Sequence, residues 1–348
     1  MPETPIAAVD LNLVLEHTEP LWDELRNQRL FLTGGTGFFG TWLLSSFLHV
    51  NRTLSLKATA TVLTRNPASF SARAPHLATD PAITLLPGDI RTFTPPTGSF
   101  DFIIHAATDV AASITPQAAL PLERYTAIAD GTARILDFAS THATRKFLLT
   151  SSGAVYGKQP STLTHVPEDY AGAPDPLIPG SAYGEGKRAS ELMCALYGQQ
   201  SAIEFKIARC FAFAGPGLPL DSNFAIGNFI RDAMHGNDLQ IAGDGTPVRS
   251  YLYAADLAIW LWNILFKAPP LQAFNVGSEE AISIADLAAL TAANLNPQLS
   301  VHIAQQPTPG ALPLRYVPCT QRAQQQLGLC QTISLAEAIR RTAAWHCA

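Results

Sequence analysis

The sequence predicts an α/β fold: a doubly wound parallel sheet followed by a smaller mixed α/β C-terminal region. Three observations predict it. Short apolar runs of strand length alternate with segments of helical character through the N-terminal half of the chain. The first such run empties into a glycine-rich turn, Gly34-Gly35-Thr36-Gly37, and a helix-like segment follows at once. Composition is that of a folded globule, with 47% hydrophobic and 15% charged residues over 348 positions, enough to bury a sizeable core.

The elements follow in order. Residues 1–28 precede the first strand. Asp10 to His17 and Pro20 to Arg26 are predicted as short helices, Asp10 capping the first, with packing or assembly as their task rather than chemistry. Leu30 to Thr33 is the first strand, and a helix runs on from Phe39. Ala58 to Thr64, Ile83 to Leu86, Phe100 to His105 and Arg145 to Ser152 are further strands of one parallel sheet. Helices are expected over 120–141 and 182–199. Pro- and Gly-rich stretches at 159–180, 215–219, 268–271 and 307–313 mark surface loops. There is no internal repeat and no low-complexity tract.

The glycine run carries the first chemistry. Gly34, Gly37 and Gly40 are spaced three apart, and Gly35, Gly37 and Gly40 also fit G-x-G-x-x-G. Glycines at such a strand-to-helix turn let backbone N–H groups, with Phe38 and Phe39 as the first helical residues, approach a pyrophosphate at the positive end of the helix. That is the dinucleotide cradle of a Rossmann sheet. A tight turn without a ligand is the plainer reading, and the strand before and helix after weigh against it.

Downstream, Tyr183 and Lys187 stand four apart on one helix face, placing a phenol near an ammonium. The pair alone would pass for a solvated helix surface. Ser152 changes that balance, because it closes a buried strand at the carboxyl end, where open α/β sheets bind ligands. Together these residues resemble the extended short-chain dehydrogenase/reductase family, in its nucleotide-sugar epimerase, dehydratase and reductase branch. Matching segments include Gly88-Asp89-Ile90, Ile104-His105-Ala106-Ala107, Arg209 to Pro216, Arg249 to Asp256 and Asn275-Val276-Gly277.

The resemblance implies a catalytic set of Ser152, Tyr183 and Lys187. Tyr183 trades a proton with a sugar hydroxyl or ketone, Lys187 lowers its pKa and holds the nicotinamide ribose, and Ser152 steadies the reacting oxygen. It further implies Asp89, Ile90, Ala106 and Ala107 along the cofactor. It implies a Rossmann domain over 29–217 and 246–278 and a substrate-binding domain over 218–245 and 279–348, with 1–28 as a helical extension. Arg249 and Arg315 match positions that hold nucleotide phosphates, Asn223 is a weaker candidate for the same task, and Asp109 is a candidate sugar contact. A homodimer is expected through helices 182–199 and 120–141, with Ala189, Leu192, Met193, Leu196 and Tyr197 on the first and Leu122, Ile128, Ile135, Leu136 and Phe138 on the second.

Departures from the family pattern narrow the activity. Dehydratases and decarboxylases carry a glutamate two residues after the hydroxyl residue to move a proton on carbon. Here Gly153-Ala154 carries no proton. Ile128 and Ala212 stand where the family often has asparagine. The second strand ends in Thr64-Arg65-Asn66 with no acidic residue, so Arg65 favours NADP over NAD, while NAD stays open. The expectation is a ketoreductase of a nucleotide-diphosphate 4-keto-6-deoxyhexose. A 4-epimerase with tightly held NAD is the alternative, and a non-catalytic dinucleotide sensor is the alternative of another class.

Other classes are disfavoured. A net charge of −5 without basic runs argues against nucleic acid. No segment is long and apolar enough to span a bilayer, and the N-terminus lacks a signal pattern. Cys194, Cys210, Cys319, Cys330 and Cys347 are odd in number and scattered, as free thiols of a cytoplasmic protein would be. His105 has no metal-ligating partner and reads as a structural strand-end residue.

Overall fold

The computed structural model describes residues 3–108, 120–222 and 224–348. Strands β1 (Arg29–Thr33), β2 (Thr59–Thr64), β3 (Ile83–Pro87), β4 (Phe102–His105), β5 (Lys146–Ser152), β6 (Glu204–Cys210) and β7 (Ala273–Val276) form one parallel sheet. Their order is β7-β6-β5-β4-β1-β2-β3. The order reverses between β1 and β4, which opens a crevice outside their carboxyl ends.

Helices cover both faces, and the strands alternate between them. In β1, Leu30 and Leu32 enter one core while Phe31 enters the other; in β5, Leu148 faces the first and Phe147 and Leu149 the second. This period of two is what makes each strand read as a continuous apolar run. The first core lies under α1 (Ala8–Thr18), α2 (Phe38–Thr53) and the helix Ala254–Lys267. The second lies under α3 (Pro121–Thr141) and α4 (Ala182–Gly198), where Phe31, Phe93, Phe100 and Phe138 pack ring to ring.

The N-terminal helices pack as expected, but Asp10 is not a cap. Ala7 holds the cap position, and Asp10 lies buried inside the first turn. Its carboxylate accepts the Tyr253 hydroxyl at 2.7 Å and an Arg341 guanidinium N–H. A buried carboxylate needs such partners more than a helix end needs a cap, so the residue turns inward. The following segment, Glu19–Leu25, is a 3-10 helix, and its Trp22 packs tilted against Trp262, ring centroids 4.6 Å apart.

Smaller sheets assemble beside the carboxyl edge. The strand Val248–Arg249 pairs antiparallel with Ile282–Ser283 and parallel with Arg315–Tyr316, setting Tyr316 opposite Arg249. Leu239–Ile241 pairs with Val301–Ile303, and Phe213–Ala214 with Leu252–Tyr253. The stretch 159–180 is not simply a surface loop. Val166 is buried and exchanges backbone hydrogen bonds with Val317 and Cys319 at 2.9 Å, and Gln159 accepts from the Val317 N–H. Those bonds pin the segment that carries Tyr316.

Candidate active site

At the β1–α2 turn each glycine has its own reason. Gly34 has a positive φ of 71°, and a Cβ there would lie 2.5 Å from the Ala106 backbone on β4's extension. A Cβ on Gly40, inside the first turn of α2, would lie 2.3 Å from Gly35, so this glycine serves close packing. Gly37 differs. Its φ of −91° suits any residue, and its Cβ would meet only the Gly34 oxygen at 3.4 Å. Nothing in the folded chain requires glycine at 37, whereas a ligand drawn against that backbone would. Gly37 caps α2 without a side chain, leaving the first-turn amides of Phe38 and Phe39 aimed out of the helix end. The turn therefore fits a dinucleotide pyrophosphate.

The flanks of that cradle are polar. The Ala107 N–H donates to Thr33 Oγ1 at 3.1 Å, and Ile90 packs against Gly131 of α3. The Asp89 carboxylate accepts Arg91 Nε at 2.8 Å and Nη2 at 3.1 Å, which holds its pKa below the usual range. Arg65 is exposed at the end of β2, near enough to Asp89 to act on its charge.

Ser152 ends β5 and caps the 3-10 turn Gly153–Tyr156, its Oγ accepting the Ala154 N–H at 3.1 Å. Tyr183 comes from the first turn of α4. Burial pushes its phenol up, opposed by the hydrogen bond with Ser152 and by the cation of Arg124 on α3. Lys187 is buried one turn on and donates to the Thr150 carbonyl at 2.8 Å, and burial pulls its ammonium down to about 8. Arg124 is thus a second cation beside the Tyr183 phenol, and the Lys187 ammonium is held on the β5 backbone one turn away.

Beneath these groups runs a buried hydroxyl chain. His105 bridges Thr33 Oγ1 at 2.7 Å and Thr132 Oγ1 at 3.2 Å, and Thr132 meets Ser190 of α4 at 2.8 Å. Burial, helped by Lys187, pulls His105 down to about 3, so it stays neutral and structural, as the sequence suggested. Ile128, in place of the family's asparagine, packs its side chain against Gly186 and closes α3 on α4.

Arg249 and Arg315 line one cleft of ≈ 500 Å³ with Lys158, Leu314 and Tyr316. The structure brings these two predicted cations together. Asp109 and Asn223 lie outside the described residues. Sequence reasoning missed Lys158, Arg124 and Tyr316. The Tyr316 oxygen lies 2.7 Å from where a side chain at Gly153 would begin, and burial pushes the phenol up. Its position next to Arg315 was the one available signal.

Along the outer face of α3 and α4, the apolar stripe divides. Ile135, Leu136 and Phe138 are buried in the core beneath α3 and α4 and Ile128 is buried against Gly186 of α4, while Leu122, Leu192 and Leu196 remain exposed.

Comparison with known proteins places this geometry. The model of the NAD dependent epimerase/dehydratase family matches residues 30–277. UDP-glucuronic acid decarboxylase 5 of Arabidopsis thaliana is 28% identical over 314 residues, covering 90% of this chain and 87% of that protein. The solved UDP-glucuronic acid 4-epimerase of Bacillus cereus in complex with NAD has a TM-score of 0.73 at 21% identity, covering 91% of this chain and 96% of that one. A dTDP-glucose 4,6-dehydratase double mutant of Streptomyces venezuelae with NAD bound has a TM-score of 0.74 at 22% identity, covering 92% and 97%. The two solved structures share the fold.

Proposed function

The chain belongs to the NAD dependent epimerase/dehydratase family, and from that premise we propose that it is a ketoreductase of a nucleotide-diphosphate 4-keto-6-deoxyhexose. One observation carries the reading. Ser152 and Tyr183 stand together, while Gly153 and Ala154 beside them hold no proton for work on a neighbouring carbon. A Cβ at Gly153 would lie 2.7 Å from both the Tyr316 oxygen and the Phe211 ring, so that space is filled rather than vacant. Redox at a single carbon is what such a site can do. It cannot supply the extra acid/base of a decarboxylase.

Gly34, Gly37, Gly40 and the amides of Phe38 and Phe39 hold the cofactor pyrophosphate, Asp89, Ile90, Ala106 and Ala107 flank the rest, and Arg65 selects a 2′-phosphate. A bound nicotinamide supplies hydride donation and acceptance. Tyr183 gives its proton to the ketone oxygen as the carbon is reduced. Ser152 donates to that oxygen, Lys187 fixes the ribose, and Arg249 and Arg315 hold the substrate diphosphate. Residues 218–245 and 279–348 form the substrate-binding unit around 29–217 and 246–278. Two copies pair through the exposed Leu122, Leu192 and Leu196, which light scattering reads directly.

The test is NADPH oxidation across a panel of nucleotide 4-keto sugars. We expect one NADPH consumed per product, and Tyr183→Phe to lower turnover by about 10²–10⁴-fold while cofactor affinity holds. Near wild-type turnover in Tyr183→Phe overturns the site. The family's NAD dependence favours a second reading, a 4-epimerase, which would interconvert two sugars with retained NAD and no net cofactor use.

A further inference from the structure

The helix of Tyr183 is fastened to its strand by the two residues that follow on the same face. Tyr183, Lys187 and Glu191 stand four apart on α4 and so lie one above the other. Lys187 donates to the Thr150 carbonyl at 2.8 Å, and Glu191 accepts from the buried Ser151 hydroxyl at 2.5 Å. Thr150 and Ser151 are consecutive in β5, and Ser152 comes next. Two ties therefore hold α4 against the strand that ends in Ser152.

Glu191 also reaches the next strand. Its carboxylate accepts Arg209 Nε of β6 at 3.0 Å and Nη2 at 2.7 Å, and both side chains are largely buried. Arg209 Nη1 donates onward to Tyr156 Oη at 2.9 Å and to the Glu168 carbonyl at 3.1 Å. The Tyr156 hydroxyl donates to Asn275 Oδ1 of β7 at 2.7 Å. Asn275 Nδ2 in turn donates to the carbonyls of Val166 and Cys319, at 2.9 and 3.0 Å. Those two residues fix the backbone just beyond Tyr316. A continuous run of hydrogen bonds thus joins the helix of Tyr183 to the segment that carries Arg315.

A buried ion pair adds little stability over apolar side chains of similar volume, and its best-attested use is to specify register. Both oxygens of Glu191 are engaged, so it is not a spare base. A slip of α4 along β5 would leave a charge unpaired in the interior, which the native register avoids. We propose that Glu191 and Arg209 are positioning residues: they lock the register of α4 on β5 and fix its distance from the strand Arg315–Tyr316, so that a substrate held by its diphosphate meets the Tyr183 phenol. The inference deepens the proposed function and rests on Tyr183 as acid/base and Arg315 as a phosphate contact.

Glu191→Gln would strand the buried guanidinium, so the test cuts the outer ties and leaves the ion pair whole. Ser151→Ala removes the tie to β5. Tyr156→Phe removes the link to Asn275 while its ring stays packed with Phe211 and Tyr170. With NADPH and the 4-keto sugar that the panel identifies, we expect kcat of Ser151→Ala to fall about tenfold with substrate KM unchanged, since a misplacement of about 1 Å costs about 10²-fold. Tyr156→Phe should lower kcat and raise substrate KM together, because it frees the helix from the phosphate-holding strand. NADPH affinity, read by titration, should hold in both variants. A merely structural role would lower the melting temperature and leave kcat and KM of the folded protein alone, and that result overturns the proposal. The second readout needs no substrate. Amide hydrogen exchange, followed by mass spectrometry, should quicken over 182–198 in Ser151→Ala, and over both 182–198 and 315–322 in Tyr156→Phe. Quickening confined to the neighbourhood of each substitution overturns the shared path. If the panel yields no turnover, or Tyr183→Phe keeps its turnover, the functional reading fails instead, and the exchange pattern still judges the network.

Discussion

In the proposed site the glycine-rich end offers backbone amides, drawn from one short turn between β1 and α2. Its other end offers side chains, Ser152, Tyr183, Lys158, Arg249 and Tyr316, brought from four separate segments of the chain. The first end is rigid because strand, turn and helix are consecutive and Gly34 and Gly40 press on backbone. The second is rigid only because Val166, Gln159 and the short strand pairings fix the pieces to one another. A local site tolerates change around it. A site assembled from distant segments depends on every tie between them.

The largest effect expected at the glycine-rich end comes from Gly37→Val. Its backbone angles and free space accept a side chain, so thermal melting should stay within a few degrees of wild type. The new methyl groups would enter the volume reserved for the pyrophosphate, and overpacking there costs about 1–3 kcal/mol, or up to about 100-fold in affinity for NADH and NADPH alike. Calorimetric titration measures both. A variant that melts normally and binds either cofactor as well as wild type would show that the turn holds no dinucleotide.

The same contrast decides what the sequence revealed. The glycine turn was legible because its residues are adjacent and lie between a strand and a helix. Five of the seven strands were legible because strands buried on both faces read as apolar runs, and β1 to β5 fall within two residues of the predicted limits, whereas Glu204–Cys210 and Ala273–Val276 were not named as strands. Tyr316 was not legible: a tyrosine in a two-residue strand has no periodicity, and its neighbours Gly153 and Phe211 lie far away in the sequence. Asp10 misled for the complementary reason. A local rule suggested a cap, and a contact with Arg341 at the other end of the chain overrode it.

Arg65→Ala sharpens the comparison by asking whether any side chain matters at the glycine-rich end. Arg65 is exposed at the β2 terminus, with no acidic residue at that terminus to bind a ribose 2′-hydroxyl. A guanidinium contact to a 2′-phosphate is worth about 1.5–3 kcal/mol. NADPH affinity should therefore fall by about tenfold or more while NADH affinity stays level. Equal losses for the two, by the same titration, would remove Arg65 from cofactor choice and favour the epimerase with its NAD.

The smallest effect concerns the chain of hydroxyls that joins the two ends. His105 holds Thr33 beside the cradle and, through Thr132, Ser190 on the helix of Tyr183. Its pKa falls from 6.5 in the unfolded chain to about 3 in the folded one, because burial excludes the charged ring. Between those values the unfolded state binds a proton that the folded state refuses, so stability falls as pH falls. The loss begins near pH 6.5 and is about 1 kcal/mol from this residue by pH 5.5. Denaturant unfolding at those two pH values measures it, with His105→Gln as the comparison. The variant should start less stable, yet its stability should change less with pH. An identical slope in both proteins would mean that His105 takes up its proton without unfolding the chain, and that the two ends of the cleft are joined by something other than this ring.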